Sequence, residues 1–106
     1  MDMQFPVFPE DEFVLYATLL AIPNGGDKLE HHLRRLVRLT LSEPGTLDYV
    51  IARDVENTDI FHVYEKYTGR EAFEKHITGQ EFKDFAAAGL LARPPAPKAL
   101  KPLQPL

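Results

Sequence analysis

The sequence predicts an α+β domain with a ferredoxin-like β-α-β-β-α-α-β order around one antiparallel sheet. Three observations carry this expectation. A strongly amphipathic helical pattern after Asp27 is preceded by one strand-like run and followed by two more. The phrase Thr68-Gly69-Arg70-Glu71 returns ten residues later as Thr78-Gly79-Gln80-Glu81, so two short helices begin in quick succession. The last fourteen residues hold five prolines and leave only "KALK" (98–101) able to pair, and then only at a sheet edge.

Each element can be justified in order. Residues 1–11 carry two prolines and little periodicity, and are expected to form an irregular arm ahead of a domain spanning 12–103. "EFVLYATLLAI" (12–22) is rich in β-branched and aromatic residues and stops at Pro23 and the turn-forming "NGGD", which favours a strand over a helix. Asp27 reads as a helix N-cap, with Glu30 completing a capping box. Leu29, Leu33, Leu36, Val37 and Thr40 then share one helical stripe, opposite His31, Arg34, Arg35 and Arg38. Pro44-Gly45 stops that helix.

"TLDYVIARD" (46–54) and "DIFHVYEKY" (59–67), joined by a short polar link, read as an antiparallel hairpin. Alternation places Phe61, Val63, Glu65 and Tyr67 on one face and His62, Tyr64 and Lys66 on the other. In the two restarted helices, Ala72, Phe73, His76 and Ile77 point inward in the first, and Phe82, Phe85, Ala86 and Leu90 in the second. Helices in this plan cover one sheet face. The aromatic residues of the other face need a partner sheet, and the simplest one is a second copy of the chain.

Composition removes several classes of function. A net charge of −4, with basic residues dispersed apart from Arg34, Arg35 and Arg38, gives no nucleic-acid footprint. With no cysteine there is no disulfide framework, thiol nucleophile or Cys-based metal site. No run approaches the ~20 apolar residues of a membrane span, and the N-terminus lacks the basic start of a signal peptide. A soluble, cytoplasmic protein is expected. "NGG" at 24–26 is a turn without the rest of a nucleotide fingerprint, and the adjacent His31 and His32 cannot face one metal as an i, i+4 pair would.

From Phe13 to Leu103 the chain resembles the antibiotic biosynthesis monooxygenase family of dimeric α+β barrels. The resemblance rests on "SEPGTLDYVIARD", on "FHVYEKYTGREAFEKHITGQEFKDF" and on "LKPL". Its ordered core is Tyr64-Glu65, Tyr67, His76 ending the short helix, and the pair Phe82 and Phe85. What the resemblance implies is a homodimer whose two sheets close into one barrel, with a pocket between sheet and helices in each subunit. Family members include cofactor-free oxygenases of quinols and anthrones, haem-degrading enzymes, isomerases and cyclases. Haem-degrading relatives use an Asn, a Trp and a His where this chain has Ala17, Tyr67 and Ala86, so that branch is disfavoured.

The favoured expectation is a monooxygenase that needs neither cofactor nor metal and oxidises a phenolic, quinol or anthrone-type aromatic with O2. His76 would be the base, since an imidazole titrates near working pH; its bland alternative is a cap on the helix C-terminus. Glu65 would orient His76 or accept a proton, or else simply be a buried structural carboxylate. Tyr67 and Tyr49 would hold a substrate oxygen, and Phe73, Phe82 and Phe85 would wall a planar ring, against ordinary core packing. The rival expectations are an isomerase or polyketide cyclase using the same pocket, and a non-catalytic dimeric binding module.

Overall fold

Seven elements follow one another in a computed structural model that describes residues 3–106: β1 (Phe13–Leu20), α1 (Gly26–Thr40), β2 (Thr46–Arg53), β3 (Ile60–Tyr67), α2 (Arg70–Ile77), α3 (Gln80–Ala87) and β4 (Lys98–Leu100). Met1 and Asp2, the start of the expected arm, lie outside the described residues. The four strands are antiparallel in the order β2-β3-β1-β4, the ferredoxin-like arrangement. Among the described residues no helix is long and apolar enough to cross a membrane.

Strand alternation decides what the sheet shows to each side. Val63 pairs with Ala17 of β1 and with Ile51 of β2, so residues of like parity line up across three strands. Phe13, Leu15, Ala17 and Leu19 of β1 and Phe61, Val63, Glu65 and Tyr67 of β3 are buried against the helices. On the opposite face Tyr16, Val50, Tyr64 and Leu100 are exposed in the single chain. There His62 bridges Tyr16 and Asp54, with Nδ1 2.8 Å from the Tyr16 hydroxyl and Nε2 2.9 Å from Asp54 Oδ2. Backbone amides of the hairpin turn and the His62 ring together hold the Asp54 carboxyl down at about 2.

The core has two parts. Leu29, Leu33 and Leu36 of α1 pack with Leu19, Phe61, Val63, Phe85 and Leu90. Phe8, Phe13, Leu15, Tyr67, Ala72 and Phe73 form the second part, under α2. Residues 3–11 form no helix or strand, yet Phe8 is only 2% exposed, stacked on Phe13 at 4.9 Å and edge-on to Phe73 at 4.6 Å. Burying one Phe this fully stabilises the fold by roughly 2–3 kcal/mol, so this stretch belongs to the folded core.

The helix starts correct the sequence reading. Asp27 is not the N-cap of α1; Gly25 is, without a side-chain cap hydrogen bond. The two carboxylates of the supposed box are taken by one guanidinium, Arg53 Nη1, which donates to Asp27 Oδ1 at 2.9 Å and Glu30 Oε1 at 3.3 Å. Nor do the two Thr-x-x-Glu phrases cap α2 and α3, whose N-caps are Gly69 and Gly79 with no side-chain cap. Thr78 instead donates back to Lys75 O at 3.1 Å, closing the end of α2.

At Gly69 the reason is contact. A Cβ there would lie 2.0 Å from the carbonyl oxygen of Glu10, because the N-terminal stretch crosses at this point. Arg70 holds that stretch, its amide donating to Pro9 O at 2.9 Å and its Nε to Phe8 O at 2.6 Å.

Candidate functional site

The seam between the two core clusters holds a cavity of about 40 Å³. The sheet supplies its floor through Leu15, Ala17, Tyr49, Ile51, Val63 and Glu65. Helix α1 adds Leu33 and Leu36, while Phe73, His76, Phe82 and Phe85 come from α2 and α3. Met3 and Phe5 from the N-terminal stretch and Pro95 and Pro97 from the chain before β4 close it. Its ionisable lining groups are Glu65, His76 and Tyr49 in otherwise apolar surroundings.

His76 lies on the last turn of α2 and is 2% exposed. Its Nδ1 is 3.2 Å from Glu43 Oε1 and 3.4 Å from the Thr40 hydroxyl. A carboxylate can only accept, so Nδ1 carries the proton and Nε2 presents its lone pair. Nε2 lies 3.9 Å from Glu65 Oε1, beyond hydrogen-bond reach. That gap suits a shared oxygen placed between the two, from water or from a substrate hydroxyl. Burial lowers the His76 pKa, partly offset by the Glu43 carboxylate. The ring is therefore neutral and able to accept a proton near pH 7.

Glu65 stands on the inner face of β3, where burial pushes its carboxyl up to about 7, held back by a hydrogen bond donated by Tyr67. Near neutrality it is divided between acid and carboxylate. The Tyr67 hydroxyl is committed to Glu65, and its ring, fully buried, stands behind the carboxylate rather than on the cavity wall. Burial and the neighbouring carboxylates raise the pKa of both Tyr49 and Tyr67, so both remain neutral phenols. Tyr49 does face the cavity, with its ring edge-on to His76 at 5.3 Å.

The structure thus brings His76, Glu65, Tyr49, Phe73, Phe82 and Phe85 to one cavity and sets Tyr67 one layer back. Phe82 lies against His76 at 5.4 Å and Phe85 against Phe82 at 5.7 Å. The carboxylate that reaches the imidazole proton is Glu43, which sequence reasoning missed, together with Thr40. The turn after α1, in which the Glu43 amide donates to Thr40 O at 2.9 Å, delivers Glu43 to His76. Phe5 and Met3 were missed as well. Among the described residues no group of three or more His, Cys, Asp or Glu could hold a metal ion.

Comparison with known proteins adds the following. Residues 12–88 match the family model described as antibiotic biosynthesis monooxygenase. No curated protein matches the chain. A crystal structure from Pseudomonas aeruginosa shares 28% identity at a TM-score of 0.82, covering 89% of this chain and 96% of that one. A structure from Mycobacterium tuberculosis shares 23% at 0.79, covering 90% and 98%. A crystal structure of an antibiotic biosynthesis monooxygenase shares 19% at 0.80, covering 87% and 99%.

Proposed function

The chain belongs to the antibiotic biosynthesis monooxygenase family, and from that premise we propose that it is a cofactor-independent monooxygenase acting on a phenolic, quinol or anthrone-type aromatic. The observation that carries the reading is the line Glu43–His76–Glu65: a buried neutral imidazole, backed by a carboxylate on one nitrogen and open to an apolar cavity on the other. A general base needs reach, a suitable pKa and an orienting partner. All three belong to His76.

The reaction follows from that base. Nε2 takes the acidic proton of the substrate, and the imidazolium is stabilised by Glu43. The electron-rich anion gives one electron to O2, and the resulting radical and superoxide combine as a peroxide anion. Returning the proton from His76 makes the hydroperoxide, which loses water to leave a new carbonyl. One oxygen atom enters the product and the other leaves in water. Tyr49 and protonated Glu65 act as hydrogen-bond donors to the substrate oxygen on which charge develops. The half-exposed Glu43 links His76 to solvent.

The size of the cavity favours a second reading. About 40 Å³ holds a water or two but no ring, as in a binding module whose pocket its own phenylalanines fill. Oxygen uptake by metal-stripped protein with a panel of quinols and anthrones separates the readings. Uptake is expected to fall ~100-fold or more in His76→Ala, and by a smaller factor with unchanged KM in Glu43→Gln. Binding without uptake would move the assignment to an isomerase or cyclase on the same base, and uptake unaffected by His76→Ala would sink the mechanism.

The active unit of this reading is a homodimer, supported by Tyr16, Val50 and Tyr64 standing exposed on the helix-free sheet face. Light scattering at micromolar concentration tests it, with a monomer as the adverse result.

A further inference from the structure

An aromatic substrate requires this site to open, and the structure distinguishes walls that can move from walls that cannot. A cavity that takes one benzene ring is roughly 150 Å³, several times the 40 Å³ available here. The lining residues outside helices and strands are Met3, Phe5, Pro95 and Pro97. Pro95 and Pro97 are tied on both sides: the Ala92 amide donates to Leu20 O at 2.8 Å, and β4 begins at Lys98.

Phe5 is tied differently. The anchor of its segment is Phe8, buried and held through its carbonyl by Arg70 Nε. Among the described residues, 3–7 make no backbone–backbone hydrogen bond, and Val7 is 85% exposed. The Phe5 ring touches the site edge-on to Phe73 at 5.2 Å and tilted to Phe82 at 6.1 Å. On its other side lies a groove of about 300 Å³ between this segment and α2, lined by Phe5, Val7, Phe8, Arg70, Glu74 and Ile77 among others. Phe5 thus lines both the cavity and the groove and stands between them. Rotation into the groove would enlarge the cavity by the volume of a ring while Phe8 stays anchored.

We infer that Phe5 gates the His76 site by swinging into the groove beside α2, and that its size limits which ring is admitted. The inference rests on the proposed reading that the site takes an aromatic substrate, but its test needs neither substrate nor O2. The chain has no cysteine, so Ala17→Cys puts one reporter thiol on the cavity wall. Its modification by 4,4′-dithiodipyridine, a ring-sized disulfide, measures how often a ring can enter.

In the Phe5-containing chain the reaction is expected to be slow; with Phe5→Ala added it should be at least ~10-fold faster, and with Phe5→Leu intermediate. Ala21→Cys, buried but away from the cavity, should stay unreactive in both backgrounds. Equal rates with and without Phe5 would overturn the gate, as would fast labelling of Ala17→Cys while Phe5 is intact. Ala21→Cys accelerating in step would mean general loosening and would also overturn it. If Phe5→Ala fails to fold, the Phe5→Leu comparison decides.

Discussion

Replacing Glu65 by glutamine should lift a pH-dependent penalty from the fold. Glu65 is 7% exposed, and burial raises its carboxyl from an ordinary 4.5 to about 7. The unfolded chain releases this proton at a lower pH than the folded one. Stability from this group therefore declines as pH rises through 4.5, and the decline ends once pH passes about 7. The gap between 4.5 and 7, at ~1.4 kcal/mol per pH unit, amounts to about 3 kcal/mol.

His76 works in the opposite sense. Its folded pKa lies below 6.5, so the unfolded chain gains the proton first on acidification and stability falls as pH drops below 6.5. The parent protein sums two opposed slopes, whereas the difference between Glu65→Gln and parent isolates Glu65. The assay is thermal unfolding of both proteins at one concentration from pH 4 to pH 8. The glutamine amide keeps an acceptor for the Tyr67 hydroxyl, so the two melting temperatures should be close at pH 4. At pH 8 the variant should lead by ~10 °C, taking about 4 °C per kcal/mol for a chain of this size. A difference constant to within ~2 °C across that range would refute the reasoning and mean that water reaches the carboxyl.

Two further outcomes follow from the same packing. Tyr67→Phe removes the hydrogen bond that restrains the Glu65 pKa, so the Glu65 midpoint, followed by carboxyl carbon chemical shift, should move above about 7; a downward move would contradict the pairing. Gly69→Ala should cost ~1–3 kcal/mol by pressing a methyl into the Glu10 carbonyl, whereas Gly79→Ala, whose Cβ would meet nothing nearer than His76 O at 3.3 Å, should cost less than ~1 kcal/mol. Equal melting temperatures for those two variants would deny the close crossing at Gly69.

The sheet and α1 were legible because their signals are periodic and local. Alternation from Phe61 to Tyr67 matches the burial one for one, and of the stripe Leu29, Leu33, Leu36, Val37 and Thr40 all are buried except Val37, which is partly buried. Most of the cavity's side chains were legible for the same reason, since an inward position on a strand or short helix is also a position in the seam. Glu43 was not. It follows a helix, in the stretch "SEPGTLDYVIARD" where nothing marks its side chain for a role, and meets His76 33 residues away only because the end of α1 packs beside the end of α2. Spacing along a chain carries no trace of such a meeting. Phe5 and Phe8 did leave one: two aromatics three residues apart in a stretch otherwise without periodicity, the pattern of side chains with somewhere to go.

The repeated Thr-Gly-x-Glu phrase shows how one local pattern can fall in two unrelated settings. Read locally, both copies are capping boxes. In the fold neither threonine caps the helix after it; the glycine that follows holds the N-cap position in each copy. At Gly79 the setting is local and undemanding: α2 ends on Thr78 and α3 starts at once, with one extended residue between in a conformation open to any side chain. At Gly69 the demand comes from about sixty residues earlier, where the backbone around Glu10 crosses too close to admit a Cβ and Arg70 fastens it. That crossing fixes Phe8, and Phe8 fixes where residues 3–7 enter the seam. The first phrase thus positions Phe5 on one side of the site, and the helix that the second begins supplies Phe82 and Phe85 on the other, with His76 at the end of the helix between them.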